Sequence, residues 1–66
     1  MIKIRIDGSG GSIAASIIAK ALEEAGLRVS HWKLNHDTPK AKAEVTRSAT
    51  NKRAAVAIYV MPSAQV

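Results

Sequence analysis

The chain has 66 residues, with ten Lys and Arg against five Asp and Glu, a formal net charge of +5 and no cysteine. A chain this short makes one domain with a thin core, and without cysteine it has neither a disulfide framework nor a thiolate metal site to hold it. No apolar run approaches the roughly 20 residues that cross a bilayer, so the expectation is no membrane, a reducing cytoplasmic setting and anionic partners.

Residues 1–7, MIKIRID, alternate strictly, with Ile2, Ile4 and Ile6 on one face and Lys3, Arg5 and Asp7 on the other. A period of two predicts a half-buried strand. Strands covered by helices on both sides read apolar throughout, so the charged alternation also predicts a two-layer sheet with one open face. Residues 8–12, GSGGS, form a glycine loop. A helix follows over residues 12–25, capped by Ser12 and closed by Gly26. Ala14, Ile17, Ile18, Ala21, Leu22 and Ala25 recur at spacings of three and four, an apolar stripe expected to lie on the isoleucine face of the first strand.

Residues 27–35, LRVSHWKLN, return to extended character. A strand, helix and strand of these lengths predict a right-handed parallel crossover, with the first two strands as neighbours. Residues 36–53 carry Lys40, Lys42, Arg47, Lys52 and Arg53 and little apolar material. They read as a basic loop or a short helix opening at Thr38 and Pro39, with a hairpin through AEVTRS as the competing choice. Residues 54–61, AAVAIYVM, make a third strand, with Val56, Ile58 and Val60 on one face and Ala55, Ala57, Tyr59 and Met61 on the other; its pairing is left open. Pro62 ends that strand, and residues 62–66 read as a frayed tail. The fold class expected is α+β: a single small β-α-β-β domain in two layers, one helix on a mixed sheet of three or four strands.

Strand, DGSGGS, helix resembles the opening of P-loop nucleoside and nucleotide kinases, where a strand leads into G-x-x-x-x-G-K-[ST]. Gly8 matches the first glycine, and Ser9, Gly10, Gly11 and Ser12 fill the four free positions. Ile13, Ala14 and Ala15 stand where the second glycine, the lysine and the magnesium-binding hydroxyl belong. The resemblance implies a phosphate-binding loop, and the missing residues argue against phosphoryl transfer. The dinucleotide pattern G-x-G-x-x-G fits at Gly8 and Gly10 and fails at Ile13. Anion binding through backbone N–H groups needs only a permissive loop and a helix start, so Ser9, Gly10, Gly11 and Ser12 are the candidate phosphate loop. The plainer alternative is that the glycines only let the chain turn, with Asp7 bonded to the loop's own N–H groups.

On the expected open face, Lys3, Arg5, Arg28 and Arg53 surround Trp32 and Tyr59, the only aromatic residues in the chain. Rings among cations suit a nucleic acid strand or a nucleotide, which stacks its bases and has its phosphates neutralised. With Leu34 and Met61 beside them, the same residues also suit a protein interface or a homodimer. Lys40, Lys42, Arg47 and Lys52 would add a basic arm. His31 and His36, five apart, are poorly placed for one metal, and no serine or threonine has a persuasive base, so neither a metal, a cofactor nor catalysis is expected. The leading expectation is therefore a small basic non-enzymatic module for a phosphate-bearing ligand. The alternative is an interaction protein or inhibitor, of the kind by which bacterial viruses take over a host.

Overall fold

The computed structural model describes residues 1–62, so the residues read as a frayed tail beyond Pro62 lie outside it. Its elements are β1 (Ile2–Ile6), α1 (Gly11–Glu24), β2 (Val29–Lys33), α2 (Pro39–Asn51) and β3 (Val56–Val60). They form a small α+β domain whose three strands are all parallel, in the order β1-β3-β2. The α+β class and the three strands are as read from the sequence. The sheet is parallel where a mixed one was expected, and β3 separates the two strands read as neighbours.

The order explains where the helices go. A right-handed crossover from β1 to β2 moves across the sheet, and the next one, from β2 to β3, moves back; reversal at constant hand puts the second helix on the opposite face. Accordingly α1 packs with Ala15 and Ala19 on Val56, Ile58 and Val60, while α2 packs with Val45 and Ala49 on Ala57, Tyr59, Met61 and Leu34. The face expected to be open is therefore covered, and the two-layer expectation gives way to a sheet between two helices. The misleading strand is β1, which lies at the sheet edge, where Lys3 and Arg5 stay exposed beside α2. The informative one is β3, buried at every residue and apolar on both faces, as a central strand must be.

The second helix replaces the expected basic loop over residues 36–53. Thr38 caps it, its hydroxyl accepting from the Ala41 N–H at 3.1 Å, and Pro39 occupies the first turn, where a missing N–H costs nothing. Its inner stripe is small, Ala41, Val45 and Ala49, so the bulk of this half of the core comes from the sheet. Tyr59 keeps its hydroxyl satisfied by bonding Thr46 Oγ1, which in turn donates to the Lys42 carbonyl at 2.9 Å.

The first helix begins one residue earlier than read, at Gly11, with Gly10 as its cap in place of Ser12. Its inner face is Gly11, Ala15 and Ala19 with Ile18 and Leu22 at the margin, so Ile17, Ala21 and Ala25 of the expected stripe point away from the core. The first strand is one residue shorter at each end than read, the second spans 29–33 in place of 27–35, and the third 56–60 in place of 54–61.

Candidate functional site

The glycine loop lies beyond the carboxyl end of β1 and feeds α1. Gly8 and Gly10 have φ of +98° and +79°, left-handed conformations that side chains disfavour, and a Cβ on either would meet nothing within 4 Å. The backbone conformation therefore calls for glycine there, and the space outside the loop is open. Gly11 is different: a Cβ there would come within 3.1 Å of Val60 Cγ1 and 3.3 Å of Ile6 Cγ2. Its lack of a side chain lets the helix start press onto β1 and β3.

At that helix start the N–H groups of Gly11, Ser12 and Ile13 precede the first intrahelical bond, from the Ala14 N–H to the Gly10 carbonyl at 3.0 Å. No side chain caps them and no acidic residue stands in the first turn. Asp7, expected to bond the loop, instead accepts from Arg5 at 3.0 Å. The donor end of the helix dipole is thus left without an anion from the chain's described residues.

One flank of that helix start is lined by β2. Val29, His31 and Lys33 share the α1 face of the sheet, in register with Val56, Ile58 and Val60. A cleft of ≈ 210 Å³ between the two elements is lined by Ser12, Ser16, His31, Trp32, Lys33 and Val60. Lys33 and Ser16 were not singled out in the sequence, although the alternation that buries Val29 also sends Lys33 to this side.

The predicted basic and aromatic residues are only partly brought together. Lys3, Arg5, Trp32 and Tyr59 do share one face, and Arg5, Tyr59 and Trp32 fall in one row across the sheet. That face is the one α2 covers: Tyr59 is 6% exposed and has no ring face to offer a base, whereas Trp32, at the β2 edge, is 43% exposed. The Trp32 indole N–H donates to Ser30 Oγ at 3.0 Å, and Lys52 Nζ sits 5.0 Å from its ring centroid. Arg28 donates to the Lys52 carbonyl at 3.1 Å and so holds the carboxyl end of α2. Arg28 and Arg53 precede β2 and β3, so in a parallel sheet they lie at the end opposite the glycine loop and do not join it.

The expected basic arm is helical. Lys40 and Arg47 are exposed on α2, while Lys42 pairs with Asp37 at 3.5 Å. Asp37 also accepts from Arg5 at 3.2 Å. The hydrogen bonds that Arg5 donates to Asp7, then the charges of Asp7 and Asp37, raise the Arg5 guanidinium above its ordinary value and hold it charged. A groove of ≈ 450 Å³ between β1 and α2 is lined by Lys3, Arg5, Lys42, Thr46 and Tyr59, its cations largely matched by those two carboxylates.

Among the described residues no group of three or more His, Asp or Glu is placed to hold a metal ion, and no helix is long and apolar enough to cross a membrane. Comparison with protein-family models, with curated proteins and with solved structures found no match.

Proposed function

We propose that this chain is a non-enzymatic binding module for a phosphate-bearing ligand, seated at the glycine loop and the start of α1. The observation that carries the reading is the uncapped helix start beside Lys33: free N–H donors, a positive dipole end, an exposed cation and two serine hydroxyls border one small cleft. The loop keeps the part of the P-loop resemblance that cradles anions and lacks the lysine and hydroxyl that transfer phosphoryl groups.

Burial of Tyr59 bears on the ligand class. A single-strand platform works by stacking successive bases on several rings, and only Trp32 remains exposed. The Trp32 ring lies on the α2 face, hydrogen-bonded to Ser30 and near Lys52, so the phosphates and not a stacked base carry the recognition at the Ser12 and Lys33 cleft, and a single exposed ring favours a nucleotide over a strand.

Titration of Trp32 fluorescence tests this, with ATP, a short single-stranded oligonucleotide and inorganic phosphate in separate arms at two salt concentrations. The expected result is a saturable, salt-weakened response to ATP that Lys33→Ala lowers about tenfold in affinity, on the scale of one charge-assisted contact. A flat response in all three arms contradicts the reading, and a response to the oligonucleotide alone moves the ligand to a strand.

A further inference from the structure

Two exposed apolar residues, Met1 and Ile2, stand at the β1 edge of the sheet. Ser12 and Ser16 border β2, so at 100° per residue the side of α1 carrying Ala14, Ile18 and Ala21 faces β1, while Ile13 and Ile17 lie on the crest of the helix, away from the sheet. The helix lies over β3 and β2 more than over β1, which leaves Ile2 58% exposed beside a buried Val56. Ile13 and Ile17 are 70% and 65% exposed. Met1 and Ile2 leave a small apolar margin beside the first strand. Alongside it, β1 is a sheet edge with its outer row of N–H and C=O groups unpaired by any described strand, and it has neither proline nor bulge to blunt it.

The sequence of that edge says what fits it. Residues 3–7 read Lys, Ile, Arg, Ile, Asp. Laid antiparallel on a second copy about Arg5, Ile4 meets Ile6 of the partner subunit on the apolar face, and Lys3 meets the partner's Asp7 on the other, twice over. Turning about Ile4 instead sets Lys3 against the partner's Arg5, a like-charge pair that disfavours that register. At the centre Arg5 faces the partner's Arg5, each already held by Asp7 and Asp37 of its own chain. We infer that this chain forms a two-fold symmetric dimer through β1, joining two three-stranded sheets into one of six, with Ile4 set against the partner's Ile6 and Lys3 against the partner's Asp7. This inference is independent of the phosphate loop, which opens beyond the strand ends and toward β2.

Sedimentation velocity over about 1–500 μM, with circular dichroism to verify folding, tests it. The wild type is expected to dimerise within that range. Lys3→Asp, which opposes two carboxylates in each half of the contact, should raise the dimer dissociation constant about tenfold or more. Combining Lys3→Asp with Asp7→Lys restores the opposite-charge pairing and should recover most of the dimer. A wild type that stays monomeric to 500 μM overturns the inference. So does a dimer that Lys3→Asp leaves intact, or a double variant no better than Lys3→Asp.

Discussion

The two helices cover the same sheet by opposite means. The first is apolar beyond its needs: it buries Gly11, Ala15 and Ala19 and leaves Ile13 and Ile17 in water. The second is basic and sparing, burying only Val45 and Ala49, yet it closes a face that holds Tyr59, Met61 and Leu34. A helix need not be rich in apolar residues to complete a core when the sheet supplies the bulk. Conversely, apolar residues in excess of what the core takes are available for another surface.

Substitutions can break that comparison. Ala49→Glu puts a carboxylate where no solvent reaches, among the apolar side chains of Leu34, Ala57, Tyr59 and Met61, and should cost about 3 kcal/mol or more, enough to unfold a domain of this size in urea titration. The matched change on the first helix, Ile17→Glu, should move monomer stability by about 0.5 kcal/mol or less. Equal effects would mean that α2 does not seal its face. Gly11→Val forces a branched side chain into Val60 and Ile6 and should cost about 1–3 kcal/mol, with the unfolding midpoint lowered and its denaturant slope kept. Thr38→Ala removes the hydroxyl that accepts from the Ala41 N–H, a loss of about 1 kcal/mol by the same titration. Tyr59→Phe takes the hydroxyl from Thr46 and should cost about 0.5–1.5 kcal/mol, because Thr46 keeps its bond to the Lys42 carbonyl.

How much of this was legible can be argued residue by residue. Period two placed Lys3, Arg5, Trp32 and Tyr59 on one face, and β1, β3 and β2 in register bear that out. What alternation cannot report is what lies on top of a face. Of the four residues expected to require a cover, Leu34, Tyr59 and Met61 have it in the chain's own second helix in place of a partner, while Trp32 stays exposed at the β2 edge. That helix was hard to see because its apolar stripe is two alanines and a valine among lysines, with only the Thr38 and Pro39 start signal to announce it. Glycine spacing showed that the loop turns, but the separate duty of Gly11, close packing on Val60, depends on a strand 49 residues away in sequence and needed the fold.

The most direct test of the proposed anion seat is amide chemical-shift mapping by NMR on adding ATP at moderate salt. The account predicts the largest movements at the N–H groups of Gly8 to Ser12, with those of Ser16 and Lys33 following. Movements centred on Lys40 and Arg47 of α2, with the loop unmoved, would contradict it and reduce the binding to attraction between a basic chain and any polyanion.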